Sequence, residues 1–433
     1  MLNIVLLIIF SAGLLFLLQW YLKKELIDPL FFTSVYWIVF IVFSVFISIQ
    51  LDFTFYWYGI VPIVLLLLAF LSGSFVMKQL RYNVSLEKPK KQNEIIEKKD
   101  FSCSRLKWLI LIFSAMGFLV IFLQLQFLGI QIRSFTDLLV SANKISVIRY
   151  NGQQDMPKIG LVLMAFLYSA GFFSGIYNVI AKGTWNKIIS LIPFVVILVF
   201  TMTNGVKTGF LFLLVIWISG YAAAYVHERK GEIKKIGKLM LRGVAIIFIM
   251  LSLIPLTQVM RGGKSKSKVV LVSAGTLSYF GSFNAFTIWY NSYKNDEFTG
   301  YKYTLSGIHN FFHGEREVGL YGKDNVEIGE YNDAPIKTNV FTMTRGLIQD
   351  FTLFGAMAFL FVVGIIMQII YDRTKRKNAL AMGILALFYS IVLWSFTVNI
   401  INYNTIILSW MISLALIFFV KKQNSSVSQT IKE

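Results

Sequence analysis

The chain has 433 residues, of which 56% are hydrophobic and 15% charged, with a mean hydropathy of +0.67. A soluble domain carries about 45–50% apolar and about 25% charged residues, so soluble enzyme, secreted scaffold and disordered readings are excluded in favour of a polytopic membrane protein. Cys103 is the single cysteine, which excludes an internal disulfide and a cysteine-based metal site.

Uncharged apolar runs predict eleven spans, near 2–21, 29–50, 56–77, 108–130, 159–181, 188–204, 209–226, 243–260, 350–371, 379–400 and 404–420. Aromatic residues such as Trp20, Tyr56, Trp108, Tyr371 and Tyr403 mark many of their ends, the usual place for an amphipathic ring. The first run lacks a basic leader and a small-residue cleavage site, and reads as a retained helix. The expected fold class is therefore all-α integral membrane, a bundle of about eleven helices with one large outer loop. Three regions follow: a bundle over 1–260, the loop over 261–349, and closing spans and a tail over 350–433.

The charge of +19 is unevenly placed. One set of alternate loops, including 78–107, 227–242 and 373–377, holds 26 of the 41 basic residues and 10 of the 22 acidic ones. Positive loops stay inside, so the C-terminus is expected in the cytoplasm and the N-terminus outside. The basic excess is thus explained by topology and lipid attraction, and no nucleic-acid partner is called for. Segments 131–158 and 261–349 fall on the outer side and are too long to be mere connectors, so function is expected there.

The uncharged stretch 269–293 is long enough to span. A lone crossing would invert the basic loops that follow, so a non-crossing placement is expected. Ser273, Thr276, Asn284 and Thr287 share one stripe of it, which fits either a re-entrant or interfacial helix roofing a lipid-facing cavity, or an ordinary helix packed on the bundle.

The chain contains no phosphate loop, carboxylate-rich metal motif or nucleophile elbow. His309 and His313 share a helix face, with Glu315 beyond, but glycines bracket them and no second ligand cluster exists, so an acid–base or sugar-binding role ranks above metal binding, and an ordinary loop histidine is the plainest account of all. His227 begins a basic inner loop and is assigned nothing. Basic residues stand at outer helix ends: Lys207, Arg261 and Arg345, with Arg133 and Arg149 in the shorter outer segment. A charge near the apolar slab is costly, and the arginine fork fits phosphate, so a lipid-linked diphosphate is a partner that justifies the placement; snorkelling to ordinary lipid phosphates is the plainer account. Lys264, Lys266 and Lys268 on a Gly/Ser linker need only that plainer account. Asp350 is expected either to pair with Arg345 or to act as a base toward an acceptor hydroxyl. Asn399, Asn402 and Asn404 cluster at an outer junction, where they serve as caps and turns or hydrogen-bond sugar hydroxyls.

Taken together, the span pattern, the dominant outer loop in the second half and the 40 phenylalanines resemble the Wzy-type polymerases of bacterial O-antigen and capsule repeat units. NGVKTGFLFLLVIW looks like that family's helix start, with Lys207 where many members carry arginine. TNVFTMTRGLIQDFTLFGAMAFLF resembles the segment entering the helix after the large loop, although Gly355 here follows Asp350-Phe351 only after three intervening residues. The resemblance implies a metal-independent, cofactor-free glycosyltransferase of the bacterial plasma membrane, joining undecaprenyl-diphosphate-linked oligosaccharides on the outer face. It places Arg261 and Arg345 on the diphosphate, assisted by Lys207 and Arg149, with Arg133 and Asn402 as further substrate contacts and the base drawn from His309, His313 and Asp350. Its partners are the lipid-linked donor and acceptor, a chain-length regulator, a flippase and membrane lipids. An O-antigen ligase is the nearest alternative, and a lipid-linked oligosaccharide flippase or transporter the alternative from another class. No internal repeat supports the latter.

Overall fold

A computed structural model describes residues 25, 27–84, 100–150, 156–229, 268–293, 298–313 and 340–421; the expected spans 2–21 and 243–260, and Arg261, lie outside them. The described chain is all helical. Seven helical segments are long and apolar enough to cross a membrane, and two shorter apolar helices, Ala379–Trp394 and Asn404–Val420, accompany them. Each expected span within the described residues thus coincides with an apolar helix.

In chain order the helices are α1 (Pro29–Gln50), α2 (Ile60–Val84), α3 (Cys103–Phe127), α4 (Phe135–Tyr150), α5 (Lys158–Ile180), α6 (Thr184–Ile189), α7 (Ile192–Asn204), α8 (Thr208–Arg229), α9 (Lys268–Ser292), α10 (Ser306–His313), α11 (Met343–Lys375), α12 (Ala379–Trp394) and α13 (Asn404–Val420). Their starts follow from local chemistry. Asp28 caps α1 by accepting from Leu30 N at 3.0 Å, with Pro29 at the first helical position. Ser102 and Asn378 cap α3 and α12 through Arg105 N and Ala381 N. Part of the expected outer loop 131–158 is α4, opened by a reciprocal box: Asp137 accepts from Arg133 N and Ser134 N at 2.9 Å, and its own N–H donates to Ser134 Oγ. Those donors hold the Asp137 carboxyl below its usual range.

Contacts sort the helix ends into two sets. At one end lie Lys78–Asp28, Lys375–Glu25, His227–Asp100 and Lys377–Glu228. We call this the basic end. At the other lie the bonds of Asn284 to Ser48, Met343 to Ser395 and Asn399 to Thr304.

Lipid does not drive helices together, so close backbone packing must do so. At the α2–α11 crossing, a Cβ on Gly73 would stand 1.9 Å from Phe361 O, and one on Gly364 2.2 Å from Phe70 O. Ser74 Oγ donates to Gly364 O across the same contact at 3.0 Å. Gly175 and Gly220 do the same for α5 and α8. Polar pairs also join helices: Gln124 and Asn204 exchange two amide hydrogen bonds, at 2.7 and 2.9 Å, between α3 and α7. Phe43, Phe46 and Phe122 stay more than half exposed, on faces suited to acyl chains.

The stretch 269–293 forms α9, which is continuous for 25 residues, about 37 Å at 1.5 Å per residue. Its second half runs alongside α1 in the same direction, with Phe280 stacked on Phe40, Asn284 bonded to Ser48 and Thr287 accepting from Tyr56 N. Asn284 and Thr287 are therefore spent on bundle packing, as the plainer reading has it. The segment leading into α9 lies outside the described residues.

Candidate functional site

Helix α11 begins seven residues before the expected span, entered from extended Thr342 and tied by Met343 N to Ser395 O at 2.8 Å. This extension brings Arg345 into the first helical turn. Its side chain is 5% exposed, with the guanidinium 4.0 Å from the Phe341 ring centroid and 5.1 Å from that of Trp289. Arg345 Nε donates to Gln349 Oε1 at 3.2 Å. A cation at a helix N-terminus opposes the helix dipole. The two ring faces offset that cost, since a desolvated cation–π contact is worth about 2 kcal/mol. Arg345 and the positive end of the helix then reinforce each other as an anion-attracting position.

Asp350 does not pair with Arg345. It is fully buried, accepting from Thr299 Oγ1 at 2.7 Å, Thr304 N at 2.6 Å and Tyr303 N at 3.1 Å. A charged acceptor buried near lipid needs several donors, and the turn 299–304 supplies them. The same turn is held from its other side: Asn399 Nδ2 donates to Thr304 O at 3.0 Å and Asn402 Nδ2 to Tyr303 O at 3.2 Å. Asn402 Oδ1 is buried with no hydrogen-bond partner. Together these residues frame a narrow crevice of about 10 Å³, where Arg345, Gln349, Asn399 and Asn402 meet the apolar side chains of Phe341, Met343 and Val398.

Thr304, Met343 and Asn399 also line a second space, an apolar cavity of about 240 Å³ between α1, α2, α11 and α12. Trp37, Leu66, Phe70, Leu347, Val363 and Phe388 are among its walls, and it reaches as deep as Met367 and Ile384. The two spaces thus adjoin, with these three residues in the walls of both. Helix α11 itself breaks at Thr352, whose φ of 60° is unusual for a β-branched residue.

Helix α10 packs on the 3₁₀ turn Ile400–Asn402 through Gly307, where a Cβ would meet Ile401 O at 1.9 Å. It carries His309 and His313 as a stacked pair, 4.0 Å between centroids and 12° between planes, with Tyr301 stacked on His309 at 5.4 Å. His313 Nδ1 donates to His309 O at 2.9 Å, and a carbonyl only accepts, so in the neutral ring Nε2 carries the lone pair. His309 Nδ1 is buried without a hydrogen-bond partner.

Arg345, Asp350 and Asn402 are therefore brought together, with His309 and His313 on the adjoining helix. Lys207 stands just before α8, and Phe212 on that helix packs on Trp394 and Tyr403 at 4.5 and 4.7 Å, so this helix start borders the same junction. Arg133 is exposed on the turn before α4, donating to Gln131 Oε1. Arg149 lies on α4, its side chain outside the described set. Sequence reasoning missed Trp289 and the Tyr303–Thr304 peptide groups, whose role arises from contacts across about 50 residues of chain, and Gln349, which meets Arg345 one turn along α11. At the basic end, Asp100, His227 and Glu228 place potential metal-ligating atoms within 4.8 Å of one another. The Lys377 ammonium, 3.4 Å from Glu228 and 3.9 Å from Asp100, already supplies the positive charge there.

No protein-family model, curated protein or solved structure matches the chain.

Proposed function

We propose that the chain joins lipid-diphosphate-linked oligosaccharide units into a longer surface polysaccharide, with the crevice end on the outer face of a bacterial plasma membrane. The N-terminus then lies outside and the C-terminus in the cytoplasm. The observation that carries this reading is that the crevice holding Arg345, Asn399 and Asn402 adjoins the apolar cavity, with Thr304, Met343 and Asn399 in the walls of both. An amphiphile with a charged head and an isoprenoid tail matches that shape, and a soluble sugar does not.

In this reading the first isoprene units enter the cavity and the diphosphate meets Arg345 at the start of α11. Neutralising the diphosphate makes it a better leaving group, an effect strengthened where water is scarce. His313 Nε2 takes the proton from the acceptor hydroxyl. The hydroxyl oxygen bonds to the donor's anomeric carbon, the bond from that carbon to the phosphate oxygen breaks, and the lipid diphosphate departs. His309 stacks on the base, Asp350 positions the turn beside it, and Asn402 Oδ1 is an acceptor for a sugar hydroxyl. Lys207, Arg261, Arg149 and Arg133 are left for the second lipid-linked substrate. A metal-independent route is assigned because arginine supplies the charge.

The test is a surface-polysaccharide gel from a strain lacking the gene, complemented with wild type, Arg345→Ala or Arg345→Lys. A single repeat unit replacing the ladder, restored by wild type and not by Arg345→Ala at equal membrane level, supports the proposal. Loss of every repeat-bearing band points to a ligase or flippase, and an unchanged ladder and capsule overturns it.

A further inference from the structure

At the basic end, the connection between α5 and α7 is built more firmly than a loop requires. Gly183, at φ 93°, turns the chain into the six-residue helix α6. Buried and half-buried polar groups then fix its inner side. Tyr177 OH donates to Asn186 Oδ1 at 2.7 Å, Asn186 Nδ2 to Lys182 O at 2.6 Å and Ser190 Oγ to Lys187 O at 2.7 Å. Asn178 Nδ2 donates to Ser190 Oγ and Ser174 Oγ to Ser190 O. The carbonyls of both lysines are thereby held, which fixes where their side chains leave the backbone.

The opposite side of α6 is open. Trp185 is 79% exposed, Ile188 48% and Leu191 49%, and Lys182 and Lys187 are exposed beside them. Helix α6 lies against α3, whose first turns expose Lys107 and Trp108 in the same pattern. Arg105 is already committed, its Nη1 donating to Phe419 O and Lys421 O. The three lysines have no described partner. No acidic residue occurs from Phe101 to Thr136 or from Met156 to His227, so the patch has no counter-charge of its own in either stretch.

We propose that α6 and the start of α3 form a binding site for an anionic phospholipid, with the headgroup on Lys107, Lys182 and Lys187 and the acyl chains along Trp108, Trp185, Ile188 and Leu191. Indole and lysine side chains divide in this way at a membrane interface, and each basic group near the surface adds to attraction for anionic lipid. Polar ties to α5 order the site before lipid arrives, so little entropy remains to be lost on binding.

The test uses the purified full-length protein in lipid nanodiscs with spin-labelled phosphatidylglycerol or phosphatidylcholine. Wild type should favour phosphatidylglycerol by roughly three- to tenfold, with the preference weakened in high salt. The triple variant Lys107→Gln, Lys182→Gln, Lys187→Gln should fall to near parity, and the triple Lys→Arg variant should keep the preference. Inorganic phosphate at millimolar concentration should not displace the lipid. Parity in wild type, an unchanged preference in the Gln variant, or displacement by phosphate overturns the site. A second measurement needs no charge variant. The emission lost in Trp185→Phe should be quenched by acyl-brominated lipid, and quenching by aqueous iodide instead overturns the proposed placement.

Discussion

The carboxylate of Asp350 accepts a 2.6 Å hydrogen bond from the backbone N–H of Thr304, 46 residues earlier, while Asn399 holds the carbonyl of that same residue at 3.0 Å. The turn that shapes the crevice is thus gripped on both edges of one peptide strand, from α11 and from the junction between α12 and α13. Asp350→Ala would leave the backbone N–H groups of Tyr303 and Thr304 without their acceptor, while the Thr299 hydroxyl would keep Gln349 O at 3.0 Å. Each buried unsatisfied donor costs about 1–3 kcal/mol, so a loss of about 3 kcal/mol or more is expected in thermal unfolding of the purified protein. Asp350→Asn should cost roughly half as much, keeping one acceptor oxygen. A positioning residue loses activity together with stability. If Asp350→Asn unfolds like wild type and yet abolishes turnover, Asp350 is instead the base.

The apolar cavity gives a separate handle on the substrate. Val363 lines it from α11, and Val363→Phe would extend a ring into space that is empty of protein. Overpacking a filled core costs typically 1–3 kcal/mol, so the change in stability here should stay below about 1 kcal/mol. If the cavity takes the isoprenoid tail, KM for a long-tailed substrate should rise roughly tenfold with kcat little changed, the pattern of lost uniform binding. A short-tailed analogue should respond less. Equal responses of the two substrates would remove the tail from the cavity.

Much of this architecture was legible from hydropathy, because a helix crossing lipid needs an unbroken apolar run that few other structures need. The helices from Pro29–Gln50 to Asn404–Val420 lie where those runs are. The site was legible only in part. Arg345 stood out as a charge at a helix end, and Phe341, four residues before it, was readable; Trp289 was not, because it comes from α9, far away in sequence. Asp350 invited pairing with the nearest arginine, yet a turn some 50 residues distant supplied donors enough to satisfy it. Asn284 and Thr287 formed a polar stripe that pattern alone could not assign to cavity or neighbour. Span lengths are set locally, whereas these pairings depend on which helices meet.

Which helices meet is decided partly by glycine. Gly73 and Gly364 let α2 and α11 approach until only hydrogen fits between them. Gly→Ala usually favours a helix, by about 1 kcal/mol. Here the added methyl would press on a carbonyl oxygen 1.9 or 2.2 Å away and force the helices apart. Gly73→Ala and Gly364→Ala are each expected to destabilise the protein by about 1–3 kcal/mol, read as a lower unfolding midpoint in detergent. The double variant should cost less than the sum, since one separation relieves both clashes. Strict additivity would mean that the two glycines act at independent contacts. Because α11 carries Arg345 and bounds the cavity, both substitutions should also weaken substrate binding.

At the basic end, Asp28 makes a pH prediction of definite sign. Its side chain is fully buried at the start of α1, with the Lys78 ammonium 2.7 Å away on α2. Burial pushes the carboxyl above its ordinary range and outweighs the lowering effect of Lys78; Glu25 nearby also raises it. The surrounding groups include Tyr371 on α11, which donates to Glu25, Tyr389 on α12, which donates to Ile27 O, and Lys375, paired with Glu25. The folded protein therefore keeps the Asp28 proton at pH values where the unfolded chain has released it. Between about pH 4 and the raised folded value the native state binds more protons, so this contribution to stability declines as pH rises and levels off above that value. Asp28→Asn retains an acceptor for Leu30 N and mimics the protonated carboxyl. Unfolding midpoints measured from pH 4 to 8 should fall more steeply for wild type than for Asp28→Asn, the two converging at the acid end. If wild type instead gains on the variant as pH rises, the ionised Asp28–Lys78 pair outweighs burial and the sign is reversed.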